Sequence, residues 1–520
     1  METLNTKFKT LIILLLVVSL VSCKKDFLTR LPQDTLSPDN FYNNAANLKI
    51  GLTGVYNTLQ NAQLFDKIPE LDAISDNSML FKYETDLIAF SQGNAYANIT
   101  NTMPNYYGQP YILIQRANEL LDNINAPGNI TQADRNDYQA EARALRAIAY
   151  MRLVYLFGDV PLYTTFIDKA TSLTLTRTLR DKVIAFIVTE LQASAAVLGT
   201  KPYNNEKGRL TKQAVLGMLC KVLVYEARMG KRPWVEAQTA LAQLMTTAQG
   251  AGVDLLTTGT GANGQANYEA VFLLANADNK EVLFAVKNND LNRGVDLSTF
   301  YGAGGGNLSV SVHTNFVNDF YGTDGLPIAT SSVYNPASPY TNRDPRLKAT
   351  VTVPGDVYSN NATLVPFNGR ITKGTLQTDF AIKKYTTLDG TKFNQGQLDV
   401  IILRYADILL LFAEAENEVN GPTTAAYNAI NRVRARVNMP NVKTGLTQTD
   451  FRNEVIHERR VELGFEGQRW FDLVTLGIAN QKINAINELG RKFVPNKQEL
   501  FPIPQSEINL NANLTQNQGY

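Results

Sequence analysis

Two blocks of helical periodicity, parted by a stretch that lacks it, constrain this 520-residue chain more than any other feature. In the first block Ala142, Leu145, Ala149, Leu153 and Leu156 recur at steps of three and four, the spacing of one helix face. Thr131-x-x-Asp134 before them has the pattern of a capping box, and Gly158-Asp159-Val160-Pro161 after them stops the helix. Thr211 is placed to cap a second helix ending near Gly230. Pro233 then stands where a first helical turn tolerates proline, and Ala237, Leu241 and Leu244 carry the period on. Helices joined by tight Gly/Pro turns form hairpins, the units that stack in solenoid folds. No internal repeat is strong enough to read from self-similarity.

The second block begins at Arg404. Its Ile408–Ala413 run reads as a buried helix turn, and Ala426, Ile430, Val433 and Val437 step by four, three and four. Thr447-x-x-Asp450 opens a further helix through about Leu463, and the tail Phe501-Pro502-Ile503-Pro504 is extended. Between the blocks, glycine, asparagine and threonine dominate. Glu281–Val286 reads as a short buried strand, and the rest as long loops with a few small strands. The expected fold is mainly α. A helical scaffold (41–250 and 401–520) carries a loop-rich insertion (251–400), all in one domain spanning 41–520.

The chain opens with an apolar run, Leu11 to Val21, behind Lys7 and Lys9. It is too short for a ~30 Å hydrocarbon core, which takes about 20 apolar residues, and matches an export signal. Leu20-Val21-Ser22-Cys23 has the pattern of a lipobox. Residues 1–22 are therefore expected to be cut off, Cys23 to be acylated, and 23–40 to tether a soluble body to a membrane surface. Removing Lys7, Lys9 and Glu2 with the signal leaves 47 of the 49 basic and 47 of the 48 acidic side chains. A neutral mature chain lacks the basic footprint that nucleic acid requires.

Catalytic and metal-binding sets are sparse. The two histidines are His313 and His457, and Cys220, the one cysteine left after Cys23, sits among apolar residues as a buried thiol. His457-Glu458 begins like a zinc-protease motif, but Val461 takes the place of the second histidine. Glu458 and Glu462 are one helical turn apart, as a glycosidase pair could be. Arg459, Arg460, Arg469 and Asp472 surround them, and arginine beside a carboxylate holds it ionised, so the segment reads as a structural ion-pair network. The run Gly302–Gly306 lacks the residues of a phosphate loop. No cofactor is called for. A structural calcium is left open: Asp72, Asp76 and Asn77 are oxygen donors, though their spacing matches no defined loop.

Aromatic and amide side chains in the loop-rich stretches are the better candidates for function. Phe81, Tyr83, Phe90 and Tyr96 form one group; Phe300, Tyr301, Phe316, Tyr321, Tyr334 and Tyr340 form another. Sugar rings stack their C–H faces on aromatic rings and offer hydroxyls to amide, carboxylate and guanidinium groups. Tyr83, Tyr96, Tyr301, Tyr334, Tyr340 and Arg293 are the candidate ligand contacts.

Several motifs carry a family resemblance. They are Glu458-Arg459-Arg460-Val461-Glu462-Leu463-Gly464-Phe465-Glu466-Gly467-Gln468-Arg469-Trp470-Phe471-Asp472-Leu473, Leu403-Arg404-Tyr405-Ala406-Asp407 with Ala413-Glu414-Ala415, Asn431-Arg432-Val433-Arg434, Glu141-Ala142-Arg143-Ala144-Leu145-Arg146, and Asn342-Arg343-Asp344-Pro345-Arg346. With these the chain resembles the SusD/RagB family, nutrient-binding outer-membrane lipoproteins of Bacteroidetes. The resemblance implies about four tetratricopeptide-like hairpins with an irregular insertion. It also implies a lid on a SusC-like TonB-dependent barrel, facing the cell exterior, that captures an oligosaccharide or sometimes a peptide without catalysis. In the family the signature motifs hold the scaffold and variable loops meet the ligand, so no binding residue carries over. Many glycan-binding members use a tryptophan platform. Here the two tryptophans are Trp234, at a helix start, and Trp470, in the signature, so a platform must use Tyr or Phe. That leaves a peptide ligand open beside a glycan, and a glycoside hydrolase or a purely structural scaffold as more distant alternatives.

Overall fold

Threonine sets the start of several scaffold helices. The computed structural model describes residues 41–61, 63–65, 67–257, 263–288, 309–360, 363–367, 378–385 and 398–520. Cys23, the signal, the tether, Arg293, Tyr301 and the glycine run 302–306 lie outside the described residues. The long helices are α1 (Ala45–Asn57), α2 (Met103–Asp122), α3 (Gln132–Phe157), α4 (Arg180–Val197), α5 (Lys212–Arg228), α6 (Trp234–Gly250), α7 (Tyr405–Asn420), α8 (Thr424–Arg436) and α9 (Gln448–Glu462). The hydroxyls of Thr131, Thr211, Thr423 and Thr447 accept the N–H groups of Asp134 (3.0 Å), Ala214 (3.3 Å), Ala426 (3.3 Å) and Asp450 (3.1 Å), satisfying donors that a helix start leaves orphaned. In α3 and α9 the capping-box acid accepts the threonine hydroxyl in turn. Helix α3 ends on Gly158 at φ +74°, where a Cβ would also lie 2.9 Å from Leu500; conformation and space both require glycine.

The helices stack in chain order. α2 packs on α3, α3 on α4, α4 on α5, α5 on α6, α6 on α7, and α7 on both α8 and α9. The contact between α6 and α7 is the telling one, because residues 251–404 lie between them. The chain leaves the stack after α6 and rejoins it at α7. Helix α5 is buried from Gln213 to Ala227, as a helix packed on all sides must be. Cys220 lies within it, and burial pushes its thiol above the usual range, so it is inert. One continuous apolar core runs from α1 to the tail at Phe501 and Ile503, each large side chain in it worth roughly 1.5–3 kcal/mol.

Short antiparallel pairs fasten the intervening segment to the scaffold. Val282–Val286 pairs with Val400–Arg404, and Ser78–Leu80 with Val310–Val312. Val351–Thr352 pairs with Ala381–Ile382, and Val357–Asn360 with Thr363–Pro366. Arg404 ends its strand and caps α7. The sequence reading of loops and strands omits three short helices here, Gly264–Glu269, Thr314–Asp319 and Arg346–Thr350. At five or six residues they are too short to show a period. Tertiary contacts hold them, such as Asn267 Nδ2 donating to Arg436 O (3.1 Å). Among the described residues no helix is long and apolar enough to cross a membrane.

Candidate ligand-binding surface

The pair Glu458 and Glu462 projects from one face of α9 into the interior, and both are fully buried. Arg346 Nη1 donates to Glu458 Oε1 (2.5 Å) and to Glu462 Oε2 (2.9 Å), so a guanidinium occupies the space between the two carboxylates. Arg434 completes Glu458 (2.9 Å), while Arg404 (2.6 Å) and Arg436 complete Glu462. Burial alone would raise the Glu462 carboxyl, but Arg436, Arg404 and Arg346 outweigh it and hold it well below the usual carboxylate range. A carboxyl so held has no proton to give at neutral pH. Arg459 binds Asp407 (2.7 Å) and Asp472 (3.1 Å), Arg460 binds Asp319 (2.7 Å), and Arg469 forks onto Asp76 (2.7 and 2.8 Å). All six signature residues, Glu458, Arg459, Arg460, Glu462, Arg469 and Asp472, thus serve to tie α9 and its neighbours together.

The oxygen donors considered for calcium are engaged in the same way. Asp72 accepts the N–H groups of Phe465 (3.1 Å) and Gly467 (2.7 Å) and the Asn77 amide (2.9 Å). Burial still pushes its carboxyl up to about 6. Gly467 sits at φ +69° with Ile68 2.5 Å from where a Cβ would be, so it has no substitute there. Among the described residues no group of three or more His, Cys, Asp or Glu could hold a metal ion.

The pairing of Ser78–Leu80 with Val310–Val312 brings two distant segments side by side. Phe81 N–H donates to Ser309 O (3.0 Å), and His313 N–H to Asn77 O (2.9 Å). Residues 81–84 therefore emerge next to residue 309. His313 closes this junction from beneath: it is buried, with Nδ1 3.2 Å from Glu488 Oε1, and Glu488 also accepts the Thr314 N–H (2.7 Å). Burial lowers the imidazole to about 4. The unfolded histidine takes up a proton near pH 6.5 that the folded one refuses until about pH 4. Stability present above pH 6.5 is therefore lost as pH falls through that window, on the order of 3 kcal/mol at its foot. His313→Gln is expected to flatten this limb when urea unfolding is followed from pH 7 to pH 4.5; an unchanged slope would rule the coupling out.

Beyond the junction lies an open surface of aromatic and amide groups. Tyr83 is 51% and Tyr96 55% exposed. Tyr83 adopts φ +73°, and its carbonyl is pinned by the Asn101 amide (2.6 Å) and the Thr85 N–H (2.9 Å). Asn94, Asn98, Thr100 and Asn101 are exposed in the same segment. The segment is held from the tail, where Lys497 Nζ donates to Ala95 O (2.8 Å) and Gln505 N–H to Ala97 O (3.3 Å). Glu84 and Asp86, by contrast, are buried. Asp86 accepts the N–H groups of Thr102 (2.7 Å) and Met103 (2.6 Å) and fixes the start of α2.

The other aromatics divide. Phe90 and Phe316 belong to the core, Phe90 against Trp470 (ring centroids 5.5 Å apart) and Phe316 against Phe465 (5.5 Å). Tyr321 stacks on His457 at 3.9 Å. These three belong to the aromatic groups of the loop-rich stretches but not to the six candidate ligand contacts. Tyr334 and Tyr340 are half-buried: Arg343 lies 5.6 Å from the Tyr334 ring, and Tyr340 meets Phe380 edge-on at 6.1 Å. The structure keeps them in a separate segment from Tyr83 and Tyr96. Periodicity gave no sign of Lys82, Asn94, Asn98 or Asn101 on this surface; the clustering of amides around Tyr96 was the available signal. Among the described residues two larger clefts lie elsewhere. One of ≈310 Å³ lies between α1 and residues 206–209, and one of ≈640 Å³ lies where the insertion leaves and rejoins the stack. Neither contains a predicted ligand contact.

Comparison with known proteins agrees with the fold. The sequence profile of the SusD family matches residues 280–520, and a second, described as starch-binding associating with outer membrane, matches residues 26–224. The chain belongs to the SusD family. SusD-like protein P25 of Formosa agariphila is 25% identical over 557 aligned positions, covering 97% of this chain and 98% of that one. A SusD-like protein from Bacteroides fragilis superposes with a TM-score of 0.79 at 22% identity, covering 94% of this chain and 100% of that one. A laminarin-binding SusD-like protein superposes at 0.67 and 21% identity, covering 92% and 100%. The helical stack is thus the tetratricopeptide-like architecture of SusD-like proteins.

Proposed function

We propose that this protein is a cell-surface lipoprotein that captures a glycan and passes it, chemically unchanged, to a SusC-like TonB-dependent barrel in the outer membrane. The observation that carries the reading is the exposed Tyr83/Tyr96 surface with its ring of asparagine and threonine side chains. Flat rings at half exposure offer stacking faces, and amides donate and accept toward hydroxyls. The arginine-clamped Glu458 and Glu462 supply no acid–base pair. A laminarin-binding neighbour and the starch-binding family profile support a sugar ligand, and the same profile's association with the outer membrane supports the location. Arg293, Tyr301, Tyr334 and Tyr340 are the further contacts we assign to ligand. Cys23 is the residue we assign to the anchor: Cys23→Ala is expected to abolish labelling by radioactive palmitate and to release the protein from membranes. Retention of label in that variant would refute the anchor.

A peptide ligand is the second reading. It is favoured by the absence of tryptophan from this surface, since Trp470 is buried and Trp234 opens α6. Isothermal titration and affinity gels against a polysaccharide panel decide between them. Retardation by at least one glycan, with no new reducing ends after incubation, is the expected result. Silence across the panel with binding to a peptide library would replace glycan by peptide, and product release would end the non-catalytic reading.

A further inference from the structure

We propose that Lys82 makes this surface selective for acidic glycans, those bearing uronate carboxylates or sulfate esters. The inference rests on the glycan-capture reading above and specifies its ligand. Lys82 Nζ lies 5.1 Å from the centroid of the Tyr83 ring and 5.6 Å from that of Phe81. Two aromatic faces thus hold one ammonium at the edge of the platform.

No carboxylate among the described residues pairs with that ammonium. The two acids that follow it in sequence are committed elsewhere: Glu84 is buried 3.7 Å from Lys67, and Asp86 gives both oxygens to backbone N–H groups. Residues 94–101 contain no ionisable acid or base apart from the Tyr96 phenol. Lys82 is therefore an ammonium without a carboxylate partner among the described residues, on a surface of hydroxyls, amides and rings whose other nearby charges, Lys497 at Ala95 O and Lys492 beside Gly93, are also cations.

That arrangement discriminates. A sugar stacked on Tyr83 covers the ammonium and strips part of its water. A neutral sugar returns hydroxyl contacts alone, whereas a carboxylate or sulfate returns a charge-assisted hydrogen bond. The rings have already restricted the lysine's rotamers, so less freedom is lost when the ion pair forms. The penalty against neutral rings and the gain for acidic ones act in the same direction, which is how a site acquires specificity. The mature chain is charge-balanced, so non-specific attraction to polyanions does not mimic the effect.

The test titrates the purified full-length protein with oligoalginate and chondroitin sulfate as acidic probes and with laminarin and soluble starch as neutral ones, at 0.1 M and 1 M salt. An acidic probe is expected to bind more tightly than the neutral ones. Lys82→Gln is expected to weaken that acidic binding roughly threefold to tenfold, as is high salt, while Lys82→Arg retains it and Tyr83→Ala lowers it by a factor of roughly 5 to 30. Equal affinity for acidic and neutral probes, with Lys82→Gln silent and Tyr83→Ala damaging, would overturn the role of Lys82 and leave glycan capture standing. Failure of every glycan to bind would overturn both. Lys82 lies at the surface, so unchanged thermal melting of the variants separates loss of binding from loss of fold.

Discussion

Arg404→Met is expected to remove at least about 3–5 kcal/mol from the folding stability of this protein, measured by urea unfolding at neutral pH. Arg404 is 1% exposed and makes five hydrogen bonds. Its Nη1 reaches Glu281 (2.8 Å) and Glu462 (2.6 Å), its Nε and Nη2 fork onto Glu466 (2.7 and 2.8 Å), and Nη2 also meets Glu462 O (2.8 Å). Around it Arg346, Lys384, Arg434 and Arg436 face Glu281, Asp344, Glu458, Glu462 and Glu466. With Arg404 included, the buried charges cancel. Methionine fills the volume but leaves one uncompensated carboxylate in a medium that solvates it poorly. Arg404→Lys is expected to rescue little, since a single ammonium cannot span three carboxylates. Adding Glu466→Gln to Arg404→Met restores neutrality and is expected to return part of the loss. The exposed pair Lys49–Glu206 (2.5 Å) is the control: Lys49→Ala should cost less than about 1 kcal/mol. Equal effects at the two sites would show that the network carries no special weight.

Tyr83→Ala combined with Tyr96→Ala is expected to lower glycan affinity more than tenfold while leaving the melting temperature nearly unchanged. Each ring is about half in water, so truncation removes little buried area and creates no cavity. Losing a stacking face typically costs about 1–2 kcal/mol at a binding surface, a factor of roughly 5 to 30 per ring. Tyr83→Phe keeps the ring and should retain most of the binding, so a large loss there would assign the interaction to the hydroxyl instead. Asparagine and threonine neighbours supply the remaining contacts and are individually weaker. Undiminished binding by the double variant would move the site elsewhere on the molecule, first to the segment of Tyr334 and Tyr340.

Much of the scaffold was legible in the sequence because a helix is a local object. Its hydrogen bonds link residues four apart, so the three-and-four spacing of Ala142, Leu145 and Ala149 and the threonine before α3, α5 and α9 announce it directly. The density of arginine around Glu458 and Glu462 likewise argued against a catalytic pair. Its decisive partner, Arg346, lies more than a hundred residues away and was visible only as part of a motif. The aromatics were the least legible. Phe90 and Tyr96 sit six residues apart with similar apolar character, yet Phe90 is buried against Trp470 and Tyr96 stands in water.

By itself, then, the sequence determined the capped starts of α3, α5 and α9, the balance of charge, and the crowding of Glu458 and Glu462 by arginine, because each of these depends on residue type and short-range spacing. The tertiary structure alone decided that α6 joins α7 across the insertion, that Ser78–Leu80 meets Val310–Val312, and that Lys82 and Tyr83 share a surface while Phe316 does not. Exposure is settled by which distant segments cover a side chain, and no local pattern encodes that pairing.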